Sequence, residues 1–335
     1  MKKLDLISRN TVEITKREEL SKLLSSNKKP TAYLGAAPTG KVHLGYFLQA
    51  VKIKDMIDSG IEFKYLLADI HAYLDDRKSP MELTIHRSKY YKEAMSAILK
   101  SIGVDLKKIK FVLGSSFQKK PDYVFDLYKL MGKVKVKRAM RASSEVVRQI
   151  ENPDLGSLNY ALMQAIDVHH IGADIALSGI DQRKIYMLAR EEVKSLGHKK
   201  PICIFMPLIG LNQDGSKMSA SDKNKVITIH DSVKSMRKKI NSAYCPEKVI
   251  ENNGLLDIIK YIILPVENKF IIDRKPEFGG RVDYLSYDNI TSDYKKGKIH
   301  PADLKYSVGN YFEKYFSTIQ KHFKNKQKII DQAYP

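Results

Sequence analysis

Two short segments of the 335-residue chain carry side chains suited to phosphate chemistry. The first, His43 to Tyr46, reads HLGY, and the second, Lys217 to Ser221, reads KMSAS. A histidine at a helix N-terminus can donate a hydrogen bond to a phosphate, and the glycine two residues later lets a base approach the backbone closely. A lysine on a loop can close over a leaving pyrophosphate and neutralise its developing charge. Either segment alone is weak evidence, because a lone histidine is more often a cap or a surface residue.

A third group of polar side chains lies within an apolar segment, residues 158–173. Tyr160, Gln164 and Asp167 follow an i, i+4, i+7 spacing, which places them on one face of a helix. One interpretation is that these three residues form the solvent-exposed face of a surface helix. A polar pocket for a substrate accounts for the pattern better.

Residues 35–41, GAAPTGK, match the beginning of a phosphate-binding P-loop. The next position must offer a hydroxyl to Mg²⁺, but it is Val42, so a P-loop is not expected. The segment still lies between a predicted strand and a predicted helix, which is where nucleotides bind in α/β folds.

The elements around these residues predict an α/β fold with a parallel sheet. A strand at 31–35, a helix from residue 44 to Gly60 and a strand at 61–68 form a βαβ unit. The elements predicted after it are a basic helical region at 122–150, a helix at 157–171, a strand at 173–178, a helix at 182–195 and a strand at 201–207. From residue 232 onward the pattern is helical and rich in lysine, which predicts a second domain.

The charge of the chain is strongly positive, with 58 Lys and Arg against 38 Asp and Glu, a formal net charge of +20. A nucleic-acid partner is one explanation, and a lysine-rich surface that keeps the protein soluble is the other. No uninterrupted apolar stretch approaches the ~18 residues of a membrane span, and the first residues lack the apolar core of a signal peptide. The two cysteines cannot form a disulfide framework or a cysteine-based zinc site. We therefore expect a cytoplasmic protein with reduced thiols.

The segments HLGY and KMSAS, in this order and on these elements, resemble the HIGH and KMSKS motifs of class I aminoacyl-tRNA synthetases. Further segments narrow the resemblance to the tyrosyl-tRNA synthetases of the archaeal and eukaryotic type. These segments are residues 33–40, 67–73, 179–184 and 300–304.

The resemblance implies a division of the chain into three parts. The parts are an N-terminal helical segment at 1–30, a Rossmann-like catalytic domain at 31–231 and a mostly helical anticodon-binding domain at 232–335. The catalytic domain would contain a helical connecting insertion at about 104–156 and a KMSKS-like loop at about 208–231.

The implied activity is the ligation of L-tyrosine to tRNA(Tyr) through tyrosyl-adenylate, with release of pyrophosphate and AMP. The alternatives are a tryptophan-specific relative and a non-catalytic RNA-binding paralogue. Tyr33 with Asp167 favours a phenol over an indole, and the presence of both catalytic motifs argues against a protein without catalysis.

The resemblance also implies the residues of a tyrosine pocket. Those matching the α-amino site are Tyr160, Gln164 and Gln182, and those matching the phenol site are Tyr33 and Asp167. The walls are completed by Leu66, His71, Phe117 and Gln118. A site that hydrogen-bonds a hydroxyl rejects phenylalanine because its polar groups would stay unpaired, and tyrosyl-tRNA synthetases are themselves the standard example of this effect.

The residues implied for ATP are Gly35, Thr39, His43, Gly45, Tyr46, Gly179, Asp181, Lys217 and Met218, with Asp181 accepting from the ribose. Those implied for catalysis are His43, Lys217, Ser219 and Ser221. The sequence departs from the motifs at Tyr46, in place of a second histidine, and at Ala220, in place of a lysine. Mg²⁺ is expected to arrive with ATP and not in a protein site. His169 and His170 have no cysteine or second ligand pair near them in sequence, so they are expected to be structural.

Contacts with tRNA are implied for basic residues near the site and for part of the C-terminal domain. The residues are Lys137, Arg138, Arg141, Arg183, Lys184, Phe278, His300 and Asp303. Phe278 is expected to stack on an anticodon base, with helix packing as the alternative, and Asp303 to accept from a guanine edge. The family's insertion pairs two subunits, so a homodimer is implied, as is a C1·G72 first pair in the tRNA.

Overall fold

A six-stranded sheet organises the part of the chain that the computed structural model describes, which is residues 2–26, 28–75, 79–146, 153–211 and 226–335. Its strands are β1 (Glu13–Ile14), β2 (Thr31–Ala36), β3 (Glu62–Leu67), β4 (Ile109–Leu113), β5 (Ile175–Gly179) and β6 (Ile202–Met206). The spatial order is β1-β6-β5-β2-β3-β4, and all neighbours are parallel except β1, which runs antiparallel to β6. The predicted Rossmann-like α/β class is confirmed.

The order of the strands reverses between β2 and β5. The chain adds β3 and β4 on one side of β2, then β5 and β6 on the other. β2 and β5 pair only at Ala32 with Ile175 and at Tyr33 with Ala176, so the two strands separate beyond this point. A crevice therefore opens at their carboxyl ends, which is where sheets of this kind bind ligands.

Helices cover both faces of the sheet. They are α1 (Lys3–Ser8), α2 (Arg17–Ser25), α3 (Tyr46–Asp58), α4 (Asp69–Leu74), α5 (Met81–Ser101), α6 (Ser115–Gln118), α7 (Pro121–Met131), α8 (Val136–Ser143), α9 (Leu155–His170) and α10 (Arg183–Glu192). One core contains α3 and α5, and a second core contains α7 to α10. Alternation along β2 sends Ala32 and Leu34 into the first core and Tyr33 into the second.

Helix α3 begins later than the sequence predicts. The prediction places its start at residue 44, but the first helical residue is Tyr46 and the N-cap is Gly45. The backbone N–H of Leu44 donates instead to the carbonyl of Ile227 at 2.8 Å. This bond joins the HLGY segment to a residue that follows the KMSAS segment in the sequence.

Two strands lie within ranges that were predicted to be helical. β1 interrupts the N-terminal segment 1–30, and β4 lies inside the insertion predicted at 104–156. β4 pairs with β3 from Phe63–Ile109 to Leu67–Leu113, so the α-helical part of the insertion range begins only at α6. The basic helical region predicted at 122–150 contains α7 and α8, which are separate helices.

The C-terminal region is mostly helical, as predicted. Its elements are α11 (Val233–Ser242), α12 (Gly254–Ile258), a π-helical turn (Ile259–Ile263), α13 (Leu264–Glu267), β7 (Phe270–Ile272), β8 (Val282–Tyr284), α14 (Tyr287–Lys295), α15 (Pro301–Phe323) and α16 (Gln327–Ala333). α15 and α16 pack on α5, and the rings of Phe312 and Tyr315 lie 5.3 and 5.6 Å from that of Phe47. None of the described helices is long and apolar enough to cross a membrane.

Candidate functional site

A cleft of about 220 Å³ lies at the carboxyl ends of β2 and β5. The predicted residues that line it are Tyr33, Gly35, His43, Gly45, Tyr46, Leu66, His71, Tyr160, Gln164, Asp167, Gly179, Asp181 and Gln182. Three predicted residues, Thr39, Phe117 and Gln118, are not part of the lining. Lys217, Met218, Ser219 and Ser221 lie outside the described residues.

Asp167 is a buried carboxylate in this lining, held by two side chains. Gln118 Nε2 and Tyr123 Oη each donate to its Oδ1 at 2.8 Å. Its Oδ2 lies 3.4 Å from His71 Nε2, and neither of these two atoms has a hydrogen-bond partner within the described part of the chain. Burial raises the pKa of Asp167 to about 7, although the hydrogen bonds from Gln118 and Tyr123 oppose the shift. One carboxylate oxygen is therefore available to a ligand.

His71 is a neutral wall of the cleft. Burial lowers the pKa of His71 to about 4, so the imidazole carries no charge near pH 7. Its Nδ1 lies 3.3 Å from Gln118 Nε2, and its ring meets that of Tyr160 edge to face at 4.7 Å between centroids. His71 and Gln118 therefore shape the surroundings of Asp167 without neutralising its charge.

Tyr33 brings a hydroxyl to the same pocket. Tyr33 Oη and Tyr186 Oη lie 2.8 Å apart, and both rings are buried. Burial raises the pKa of Tyr33 well above its usual value, and the charges of Tyr186 and Asp167 add to the shift, so the hydroxyl keeps its proton. One of the two hydroxyls donates to the other, which leaves the second proton for another acceptor.

Tyr123 and Tyr186 are not among the residues predicted from the sequence. Tyr186 stands four residues after Gln182, a spacing that places it on the same face of a helix. Tyr123 shares the buried face of α7 with Asp126 and Leu130, at i, i+3 and i+7. These spacings marked buried faces, but they contained no signal that the two hydroxyls reach Tyr33 and Asp167.

Two glutamines occupy another part of the lining. Gln164 on α9 donates from Nε2 to Oε1 of Gln182 at 3.2 Å, and Gln182 ends the short 3₁₀ turn after β5. The Oε1 of Gln164 is buried and has no hydrogen-bond partner among the described residues. Tyr160 lies one turn before Gln164 on α9. The structure thus brings together the three residues predicted for an amino group.

His43 lies in the turn before α3 and not in its first helical turn. Its Nδ1 accepts a hydrogen bond from the backbone N–H of Gly45 at 3.2 Å. In a neutral imidazole the proton must then sit on Nε2, which makes that nitrogen a donor. Tyr46 packs edge to face on the ring at 5.0 Å and so holds its orientation.

The tyrosine that replaces the second histidine of the motif braces the loop before α3. Tyr46 Oη donates to Tyr91 Oη at 3.2 Å, and Tyr91 Oη donates to the carbonyl of Gly40 at 2.7 Å. Tyr46 therefore has a structural role, because its hydroxyl links α3 to α5 and, through Tyr91, to the loop.

Gly179 ends β5 next to Asp181. A Cβ at residue 179 would collide with the Asp181 carboxylate. Glycine at this position therefore allows the acidic side chain to lie against the strand end, within the lining of the cleft.

The basic residues predicted to contact tRNA are at the surface, and several form ion pairs. Those pairs are Arg138 with Glu191 at 2.6 Å, Arg183 with Glu13 at 2.6 Å and Lys184 with Glu145 at 2.9 Å. Lys137 and Arg141 are exposed on α8. Ion pairs of this kind contribute little to folding and can exchange for phosphate contacts.

In the C-terminal region, Arg274 joins the residues predicted to contact the anticodon. Its Nη1 donates to Asp303 Oδ2 at 2.9 Å, and its Nε donates to the carbonyl of Gly280 at 3.3 Å. Phe278 lies in the turn between Arg274 and Gly280, and 63% of its surface is exposed. The alternative that Phe278 packs against a helix is therefore wrong. Asp303 and His300 form the capping box of α15, a role that was not predicted from the sequence.

The chain is similar to known proteins over its whole length. A family model described as tRNA synthetases class I (W and Y) matches residues 25–317. The tyrosine–tRNA ligase of Natronomonas pharaonis is 42% identical over 340 residues, with 100% of this chain and 98% of that protein covered. The cytoplasmic tyrosine–tRNA ligase of Saccharomyces cerevisiae is 39% identical, with 98% and 87% covered. The crystal structure of tyrosyl-tRNA synthetase complexed with L-tyrosine from Archaeoglobus fulgidus superposes with a TM-score of 0.89 at 42% identity, and covers 96% of this chain and 98% of that one.

Proposed function

The chain belongs to the family of class I tRNA synthetases (W and Y), and on that premise we propose that it ligates L-tyrosine to tRNA(Tyr) with ATP. In the first step the tyrosine carboxylate attacks the α-phosphate of ATP, which gives tyrosyl-adenylate and pyrophosphate. In the second step a terminal ribose hydroxyl of the tRNA takes the tyrosyl group, and AMP leaves. Neither step requires a nucleophile from the protein.

The observation that carries this proposal is the pair formed by Tyr33 and Asp167 in one buried pocket. A phenolic hydroxyl can donate to Oδ2 of Asp167 and accept from Oη of Tyr33, whose other neighbour is Tyr186. An indole N–H can only donate, so it could bind Asp167 but could not accept a hydrogen bond from the Tyr33 hydroxyl. The pair therefore favours tyrosine over tryptophan.

The α-amino group of the substrate would bind to Tyr160, Gln164 and Gln182. The buried Oε1 of Gln164 has no hydrogen-bond partner in the described ranges, and an ammonium group supplies the donor that it lacks. This contact fixes the direction of the substrate between the phenol site and the nucleotide. The carboxylate is then positioned for attack, which is the main source of rate when the protein supplies no nucleophile.

The phosphates of ATP would lie near the turn before α3. His43 Nε2–H is suited to donate to a phosphate oxygen, and Asp181 to accept from the ribose. Lys217, with Ser219 and Ser221, would neutralise the leaving pyrophosphate. Mg²⁺ would enter bound to ATP, where it offsets phosphate charge.

The tRNA would bind across the basic surface near the cleft and the turn around Phe278. Exposed Lys137 and Arg141 offer phosphate contacts, and exposed Phe278 offers a stacking surface for an unpaired base. The net charge of +20 supports a polyanionic partner of this kind. A C1·G72 first pair stays a prediction from the resemblance.

We also propose a homodimer in the cytoplasm. α7 and α8 expose four large apolar side chains: Phe125 at 60%, Tyr128 at 62%, Met131 at 47% and Val136 at 62%. Large exposed apolar side chains grouped on consecutive helices are typical of a subunit interface. Free thiols at Cys203 and Cys245 fit a reducing compartment.

The experiment that tests the function is ATP–pyrophosphate exchange with tyrosine and with tryptophan, followed by charging of tRNA(Tyr). We expect exchange with tyrosine, negligible exchange with tryptophan and transfer to tRNA. Exchange with tryptophan alone would identify a tryptophan-specific relative. RNA binding without exchange would identify a non-catalytic paralogue.

A further inference from the structure

A cluster of three side chains outside the cleft has the composition of a metal site. Asp126 from α7, His170 from the end of α9 and His198 from the turn before β6 converge on one point. Asp126 Oδ2 lies 3.1 Å from His170 Nε2 and 2.6 Å from His198 Nε2, and the three ligand atoms all lie within 4.8 Å of one another.

We propose that Asp126, His170 and His198 bind a zinc ion that fastens the end of α9 to α7 and to the turn before β6. Two imidazole nitrogens and a carboxylate oxygen are a ligand set that Zn²⁺ prefers, with water in the fourth position. This proposal departs from the sequence prediction of no metal held by the protein. That prediction rested on the absence of a second ligand pair near His169 and His170, but Asp126 and His198 lie 44 and 28 residues from His170 in sequence and reach it through the fold.

The spacing of the ligand atoms is close to that of a zinc site. Bonds of about 2.0–2.2 Å in a tetrahedral arrangement place ligand atoms ~3.3 Å apart. The separation between Asp126 and His170 is 3.1 Å, and that between Asp126 and His198 is 2.6 Å. The two imidazole nitrogens lie within 4.8 Å of each other, so the carboxylate and the rings would have to shift to admit the ion. The His198 side chain is 12% exposed, which gives the ion a route from solvent.

The surroundings hold the rings in position. His169 stacks on His198 with 3.4 Å between centroids and 10° between planes, and Tyr123 meets His170 at 4.8 Å. The Lys129 ammonium lies 3.1 Å from Asp126 Oδ1 and opposes a cation, but its side chain is 43% exposed and can turn into solvent. Asp122 acts on His170 as a further negative charge.

A zinc ion here would act on the substrate pocket through α9 and Tyr123. α9 carries Tyr160, Gln164 and Asp167 in the turns before His170, and Tyr123 donates to Asp167. An ion at the end of the helix would restrict the movement of these side chains. Its role would be to position the pocket, because none of its ligands lines the cleft.

The test is a zinc titration of the full chain after removal of metals with EDTA. We expect calorimetry to show one saturable site and the unfolding temperature to rise with zinc. Co²⁺ in place of Zn²⁺ should give the strong visible absorption of a tetrahedral centre. A wild-type protein without saturable binding, or with an octahedral cobalt spectrum, would overturn the proposal.

Variants separate this site from other histidine–carboxylate pairs. His198→Ala, at a partly exposed position, and Asp126→Asn, which keeps the shape of the side chain, should each weaken zinc binding by at least about tenfold. The matched control is His322→Ala, because His322 also pairs with a carboxylate, Glu93 at 2.8 Å, and its side chain is 10% exposed. This variant should bind zinc as the wild type does. Equal binding by wild type and both cluster variants would show that the cluster is a hydrogen-bond network only.

Discussion

The position of the proton on His43 determines what this side chain can do to ATP. The N–H of Gly45 donates to Nδ1, so in the neutral ring the proton sits on Nε2 and makes that nitrogen a hydrogen-bond donor. His43→Ala should therefore slow pyrophosphate exchange by about a hundredfold, the order of effect expected when a transition-state donor is removed. Lys217→Ala should have the same effect. The binding of tyrosine should persist in both variants.

The control for His43 is His43→Gln, whose amide N–H can still donate. This variant should recover part of the lost exchange rate, which a purely structural histidine would not allow. Near-normal exchange in the alanine variants would contradict the assignment of both residues.

The buried carboxylate of Asp167 should make tyrosine binding depend on pH. Its pKa is raised to about 7, so the free protein holds it neutral below that pH and ionised above it. The ionised form is the stronger acceptor for a phenol, and we expect the KM for tyrosine to fall by about tenfold from pH 6 to pH 8. Steady-state exchange kinetics at fixed ATP would measure this.

Asp167→Asn supplies the comparison for the pH profile. The amide does not titrate, so its KM should be higher than that of wild type and flat across the same range. A wild-type KM that rises with pH would mean that the neutral carboxyl is the binding form.

At this scale, helical spacing predicted one part of the pocket, the resemblance supplied other residues of its lining, and two hydroxyls were missed. Tyr160, Gln164 and Asp167 stand on one helix, and all three line the cleft. Tyr186 pairs with a residue 153 positions away, and Tyr123 with one 44 positions away. A hydroxyl that joins two distant elements leaves no periodic pattern in the sequence.

At the scale of secondary-structure elements, the strands β1 and β4 were not predicted from the sequence. β1 has two residues and is defined by its antiparallel pairing with β6, as in the register of Glu13 with Phe205. β4 contains Lys110 and directly follows Lys107 and Lys108, and its place is fixed by its pairing with β3. The strands β2, β3, β5 and β6 are rich in apolar and aromatic residues and mostly buried, which is why the sequence predicted them within a few residues.

Helix α7 has one buried face and one exposed apolar face. Phe125 and Tyr128 lie on the exposed face, while Tyr123 and Leu130 are buried. If the exposed face is a subunit interface, Phe125→Asp should convert a dimer into a species of 38.3 kDa, because a buried charge without a partner is costly. Light scattering after size exclusion would measure the mass.

The matched control is Leu285→Asp, since Leu285 is 75% exposed in the C-terminal region. This variant should keep the mass of the wild type. A Phe125→Asp protein that remains dimeric would place the interface elsewhere on the molecule.

The turn from Pro276 to Phe278 offers a separate test of RNA recognition. Phe278→Ala removes an exposed ring without opening a cavity, and we expect the kcat/KM for tRNA charging to fall by about 5- to 150-fold, the value of one stacked base. Pyrophosphate exchange should stay unchanged in the same preparation. Asp303→Ala is a less specific probe, because it also breaks the capping box of α15 and the ion pair with Arg274. Unchanged charging by Phe278→Ala would contradict the stacking role.

For the whole molecule, the C-terminal region is attached to the loop that precedes His43. Tyr334 Oη donates to the carbonyl of Gly40 at 2.6 Å, and Arg87 on α5 donates to the carbonyls of Thr39 at 2.8 Å and Ala333 at 3.1 Å. The guanidinium also lies over the Tyr334 ring, 4.9 Å from its centroid. Thr39 thus contributes to the position of the loop, although it does not line the cleft.

This attachment predicts that a substitution of Tyr334 changes the KM for ATP more than the KM for tyrosine. Tyr334→Ala loses the hydrogen bond to Gly40 and the contact with Arg87, so the loop before His43 should be less ordered and the KM for ATP should rise by about five- to tenfold. The KM for tyrosine should stay constant, because Tyr33 and Asp167 are held by other elements. Tyr334→Phe keeps the ring and should show a smaller rise. Equal increases in both KM values would mean that Tyr334 supports the fold in general and not the nucleotide loop.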